Sequence, residues 1–185
     1  MQSLKNHFLL AMPHLEDSQF AGTLSYLCDY DDNGTMGVMV NRPLDITLDA
    51  LFDQLDLGGE DSPHNDAPVY YGGPVHRDRG FILHRGSSEP WDSSIQVTED
   101  IALTTSMDML QALAAGKGPK DFLVCLGCAG WESGQLEEEL KENTWLTVEG
   151  RAEVLFDVPT EQRLNAAAGI LGIDLNLMSR EAGHS

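Results

Sequence analysis

Few residues in this chain have the types and spacing that chemistry needs. Cys125-Leu126-Gly127-Cys128 is a C-x-x-C, and such a pair acts as a redox centre when its first sulfur lies near a helix N-terminus, where the dipole lowers the thiol pKa. Cys125 instead sits in the apolar run Phe122-Leu123-Val124-Cys125-Leu126, and the next helix is expected around Ser133, so the pair reads as two small buried hydrophobes. A structural zinc would need two more ligands, and the six histidines supply neither H-E-x-x-H nor a second C-x-x-C. No metal and no cofactor is therefore expected. Gly116-Lys117-Gly118-Pro119 lacks phosphate-loop spacing and follows a helix rather than a strand. Glu137, Glu138 and Glu139 point in different directions from one helix, and no G-x-S-x-G surrounds a serine.

Positive charge is the more informative signal. Asn41-Arg42-Pro43, Gly72-Gly73-Pro74-Val75, Arg77, Arg79, His84 and Arg85 bring guanidinium groups close in sequence to two glycines able to expose backbone N–H groups, the ingredients of an anion site. The candidate ligand-binding residues are Asn41, Arg42, Gly72, Gly73, Arg79 and His84, joined by Trp131 and Gln135 if the fold gathers them in one concavity. Against this stands the plain alternative that the arginines form surface ion pairs and Gly-Gly-Pro turns the chain.

That cluster is set in an acidic background: 11 Lys plus Arg against 30 Asp plus Glu give a formal charge of -19. A field of this sign repels phosphate backbones and anionic lipid surfaces, so nucleic-acid and membrane binding are not expected. No apolar stretch approaches the ~20 residues that span a bilayer, and the run after His7 is too short for a signal peptide. Three cysteines, an odd and sparse set, suit a reducing compartment, so a cytoplasmic protein is expected.

The elements that must position these residues follow from periodicity. Phe8–Met12 is a buried strand stopped by Pro13. Leu24, Tyr26, Cys28 and Tyr30 alternate along a strand, Asp31-Asp32-Asn33-Gly34 turns it, and 35–40 returns. Asn41-Arg42-Pro43 ends that strand, and Thr47 caps a helix with Leu48, Leu51, Phe52 and Leu55 on its buried side. After a polar loop over 58–68, 69–71 and 81–84 are strands joined through Gly72-Gly73-Pro74-Val75 and a charged turn at 77–80. Strands follow at 95–97 and 101–103, then a helix capped at Thr105-Ser106 that uses Leu110, Leu113 and Ala114 and stops at Gly116. Strand 122–126 is left through 127–131, helix 135–140 follows, and 145–148 and 154–156 are the last strands. Pro159 opens a final helix using Leu164, Ala167, Ala168 and Leu171. With no regular βαβ repeat, the fold class is α+β, one domain over 1–185.

Phe8-Leu9-Leu10-Ala11-Met12-Pro13, Gly37-Val38-Met39-Val40-Asn41-Arg42-Pro43, Gly72-Gly73-Pro74-Val75 and Arg79-Gly80-Phe81-Ile82-Leu83-His84 together resemble the YqgE/AlgH family of bacterial proteins. Gly130-Trp131-Glu132-Ser133-Gly134-Gln135-Leu136-Glu137, Asn143-Thr144-Trp145-Leu146 and Ala182-Gly183-His184 extend the resemblance over nearly the whole chain. It implies an α+β fold with a mixed, bifurcated β-sheet, part-closed like a small barrel and surrounded by helices. Cys128 stands where the family often carries an aromatic residue, and Met107 where a basic one is common. The resemblance implies no reaction, since one branch is named for a proposed role in regulating alginate synthesis genes, which is a pathway and not a chemistry.

The residues then support a non-enzymatic regulatory or ligand-binding protein, receiving a small anion or a loop of a protein partner. The alternative is a hydrolase or transferase on an anionic small molecule, with His84 as acid/base, Arg42 and Arg79 stabilising charge and Asn41 positioning, although no nucleophile stands out. Direct transcriptional regulation ranks last, opposed by charge and by the lack of a basic helix-turn-helix.

Overall fold

The computed structural model describes residues 3–11 and 22–172. Met12-Pro13 and Ala182-Gly183-His184, used in the motif reading, lie outside the described residues. Strands β1 (His7–Ala11), β2 (Leu24–Asp31) and β3 (Gly34–Met39) form a meander, with β10 (Trp145–Glu149) on the far edge of β1. The β2–β3 turn forms as expected, but the positive φ falls on Gly34 (143°), so the return strand begins one residue early. Strands β6 (Val75–Arg85), β8 (Ile101–Thr104) and β7 (Ser94–Gln96) form the other wing in that spatial order.

The wings meet on β9 (Phe122–Glu132). Its Cys125 half pairs antiparallel with β6 on one edge and parallel with β5 (Pro68–Tyr71) on the other, while its Ala129–Glu132 half pairs with β3. One edge of β9 thus serves two strands in turn, which is how the mixed sheet bifurcates and curls into a half-barrel. The apolar run predicts a strand that is left at Gly127, yet β9 runs on to Glu132. The glycines are there for a close backbone crossing: a Cβ on Gly72 would sit 2.2 Å from the Gly127 carbonyl oxygen, and one on Gly127 would sit 2.3 Å from that of Gly73.

Two further strand expectations need correction. The segment after Asn41-Arg42 forms β4 (Pro43–Thr47), paired with β5, because Pro43 fits the start of an edge strand where no ladder N–H is needed. Val154-Leu155-Phe156 belongs to helix α4 (Ala152–Phe156), since an apolar run this short does not separate strand from helix.

The helices are α1 (Leu48–Gln54), α2 (Met107–Ala114), α3 (Gln135–Lys141), α4 and α5 (Arg163–Ile170), the last preceded by a 3-10 turn at Thr160–Gln162. Helices α4 and α5 cover one face of the sheet, where Phe8, Tyr26, Leu83, Cys125, Leu155 and Ala168 share a core. Against the opposite face α1 and α2 pack on Val69, Ile82 and Val124, while α3 packs through Leu136 beside Trp131 and Trp145. Thr47 and Ser106 are the N-cap residues of α1 and α2, but their hydroxyls donate to Asp49 and Asp108 and cap no N–H group of their own helices. No helix among the described residues is long and apolar enough to cross a membrane.

Candidate functional site

The charged turn expected at 77–80 is present as an excursion inside β6. Val75 lies opposite Cys128 and Gly80 opposite Leu126, so five steps of β6 are matched to two of β9 and residues 76–79 are thrown out of the ladder. His76 there holds φ 50°, a left-handed conformation that a non-glycine residue seldom adopts. The excursion ends over a cavity of about 420 Å³ walled by α1, α2 and the sheet. Its floor is Leu51, Ile82, Leu110 and Leu126; its rim carries Arg79, Thr105 and Ser106. Leu55, expected inside the core, and Met107 are 37 % and 45 % exposed and complete the apolar wall.

The rim is held by local hydrogen bonds. Arg79 Nη2 donates to Thr105 Oγ1 at 3.3 Å, and Thr105 Oγ1 also meets Ser93 Oγ at 3.0 Å. Ser106 Oγ accepts the Ser93 amide and donates to Asp108, whose other carboxylate oxygen accepts the Asp92 amide. Burial pushes the Asp108 carboxyl up, but these donors outweigh it and leave it below the ordinary carboxylate value. Among the described residues no carboxylate forms an ion pair with Arg79, although Asp78 also lines the cavity. An apolar hollow whose mouth carries two hydroxyls and a guanidinium that no described carboxylate pairs suits an organic anion that has an apolar body.

Of the residues selected from sequence, Arg79 alone lines this cavity. Asn41 bridges neighbouring segments, accepting the Leu24 amide at 2.9 Å and donating to the Gly22 carbonyl at 3.0 Å. Arg42 is half-buried beside it, and its carbonyl accepts the Tyr71 amide. The Gly72 amide donates to the Leu126 carbonyl at 2.8 Å, so it serves the β5–β9 crossing. His84 is fully buried, with Nε2 2.8 Å from Thr104 Oγ1 and the ring edge-on to Trp91. Burial lowers its pKa below the ordinary imidazole value, against a smaller upward pull from the Arg85 backbone, so it is neutral and shut away from solvent. An acid/base role there has no access route in this geometry.

Trp131 and Gln135 meet each other elsewhere, around Glu139. Trp131 Nε1 and Trp145 Nε1 donate to Glu139 Oε1 at 3.1 and 2.9 Å, and Gln135 Nε2 donates to Glu139 Oε2 at 3.1 Å. Near this cluster is a cavity of about 630 Å³, lined by acidic groups including Asp31, Asp32, Glu132 and Glu137. The hydrogen bond to Glu137 pushes the Tyr30 hydroxyl there up to about 12. This cleft is too negative for an anion.

The cysteines carry no exposed thiol. Cys28, Cys125 and Cys128 are free and buried, and burial raises the pKa of each, that of Cys125 to about 12. The described residues contain no group of three or more His, Cys, Asp or Glu side chains arranged to hold a metal.

What sequence reading missed was the apolar wall and the Thr105-Ser106 rim. The available signal was Leu55, the last member of a helical stripe longer than the core requires, next to which a scarce arginine returns through the fold.

Fold and cavity together define an α+β protein with a bifurcated half-barrel sheet and an amphipathic hollow on its α1–α2 face. The chain belongs to the AlgH-like family, whose sequence profile matches residues 8–176. It is 74 % identical over 185 residues to a UPF0301 protein of Chromohalobacter salexigens, covering 100 % of both chains. A UPF0301 protein of Paraburkholderia phymatum is 50 % identical, covering 99 % of this chain and 96 % of its own. The solution structure of the AlgH protein from Pseudomonas aeruginosa superposes with TM-score 0.80 at 45 % identity, over 96 % of this chain and 94 % of that one. The fold extends to a Corynebacterium diphtheriae protein at TM-score 0.75 and 17 % identity, covering 97 % of this chain and 92 % of that one.

Proposed function

We propose that this protein is a cytoplasmic, non-enzymatic ligand-binding protein that takes a small organic anion in the cavity between α1, α2 and the β6 excursion, and passes that occupancy to a protein partner. The observation that carries the reading is the Arg79 guanidinium, tethered to Thr105 Oγ1 and free of any carboxylate pair among the described residues, over a floor of Leu51, Ile82, Leu110 and Leu126. The floor supplies the favourable transfer of an alkyl body from water, and the guanidinium fixes the anionic head. The buried, reduced cysteines are in keeping with a cytoplasmic setting, and the charge of -19 disfavours nucleic acid as the partner.

Hexanoate is the simplest probe, with hexanol as its neutral counterpart. Titration of hexanoate is expected to give saturable amide shifts at Arg79, Thr105 and Leu110, weaker with hexanol. Arg79→Gln is expected to weaken hexanoate about 2- to 5-fold, the range for an exposed charge pair. Flat shifts around the cavity, or equal response to both probes, would remove the anion-binding reading.

A further inference from the structure

A second scarce cation is buried. Arg163 opens α5 and is 5 % exposed. Its Nη1 donates to the Val40 carbonyl at 2.7 Å, and its guanidinium carbon stands 5.2 Å from the centre of the Tyr70 ring. Nε, shut off from solvent, meets no acceptor, and no described carboxylate pairs with the side chain. A guanidinium carries five N–H donors, and taking it out of water is costly unless they are matched. One carbonyl and one ring face leave Nε without a partner.

Arg163 lines a cavity of about 320 Å³ that shares no lining residue with the Arg79 site. Lys120 and His64 line it too, with Tyr70, Phe122 and Phe156 among its aromatic walls. Its one acidic lining residue, Asp121, is taken by Arg85 Nη1 at 2.7 Å, and Arg85 Nη2 holds Asp157 at 3.0 Å. Arg85, Lys120 and Arg163 therefore face two carboxylates, a local excess of positive charge in a chain of net charge -19. Tyr70 is further steadied by its hydroxyl contact with Thr160 Oγ1 at 2.6 Å, so the wall beside Arg163 is preorganised.

We propose that this cavity is an oxyanion-binding site: Arg163 and Lys120 receive the phosphate or carboxylate group of a small molecule whose body packs against Phe122 and Phe156. A buried guanidinium that no described carboxylate pairs supplies directional hydrogen bonds, and the exposed Lys120 supplies a point charge on a flexible stem at the mouth.

The test titrates the full chain with inorganic phosphate and, separately, with benzoate at constant ionic strength, following amide shifts. Saturable shifts at Lys120, Phe122 and Arg163 with either probe are expected, and which probe saturates tells phosphate from carboxylate chemistry. Lys120→Ala is expected to weaken the responding probe about 2- to 5-fold, and Arg163→Gln to remove saturation. Should Arg163→Gln fail to fold, Lys120→Ala alone decides, because that side chain is exposed. Shifts that never saturate with either probe, or that Lys120→Ala leaves unchanged, would overturn the proposal.

Discussion

Arg79 stands exposed on the β6 excursion, bonded to Thr105 at 3.3 Å with its guanidinium carbon 5.8 Å from the Phe81 ring centre, whereas Arg163 is 5 % exposed, bonded to a backbone carbonyl at 2.7 Å and set over Tyr70. Each exerts a field on a different member of the C-x-x-C, Arg79 on Cys128 and Arg163 on Cys125, and in both cases burial outweighs the cation and raises the thiol pKa. The difference teaches that a guanidinium without a carboxylate can mean two things. On an exposed rim it is cheap to keep and available to a ligand; in the interior it is bonded into the structure and still has a donor left over.

The strongest way to break this comparison is to remove the crossing on which both regions hang. Gly72→Ala places a Cβ 2.2 Å from the Gly127 carbonyl oxygen, a backbone atom that cannot swing aside. A cost of about 3 kcal/mol or more is expected, lowering the thermal midpoint by roughly 6–12 °C by calorimetry. Next in size, Arg163→Ala should cost about 2 kcal/mol in denaturant unfolding, through the lost charged hydrogen bond and the Tyr70 contact, while Arg79→Ala should stay within about 0.5 kcal/mol. Equal costs for the two would erase the distinction between the buried and the exposed arginine.

His84 gives a smaller, pH-dependent effect. Its folded pKa lies below the ordinary 6.5, so between those values the unfolded chain binds a proton that the folded chain refuses. The stability owed to neutral His84 is full above about pH 6.5 and declines as pH falls toward the folded pKa. Thermal midpoints of the native protein and His84→Gln, measured from pH 8 to roughly pH 5, should therefore converge as the solution is acidified. The smallest expected effect is on the thiols: iodoacetamide at neutral pH should label none of Cys28, Cys125 or Cys128 in the folded protein, with or without Arg79→Ala.

Sequence patterns exposed the β1–β3 strands, the α1 and α2 stripes and the scarcity of positive charge, because local periodicity and composition determine those. They exposed the crossing only indirectly: Gly72-Gly73 and Gly127 read as a turn and a strand exit, since a close approach of two distant backbones leaves no local pattern. His84 looked available because its burial under Trp91 and its bond to Thr104 depend on β7 and β8 pairing beside β6. Arg163 passed unnoticed for the same reason, as its partners Val40 and Tyr70 are remote in sequence. Trp131 and Gln135 do meet, but around Glu139.

The central claim, that the α1–α2 hollow receives an organic anion through Arg79, is tested most directly by mapping amide shifts of the full chain against hexanoate. Saturable shifts concentrated at Arg79, Thr105, Met107 and Leu110, and diminished in Arg79→Gln, are expected. Saturable shifts confined to the acidic cleft beside Tyr30, or a response that Arg79→Gln leaves intact, would contradict it.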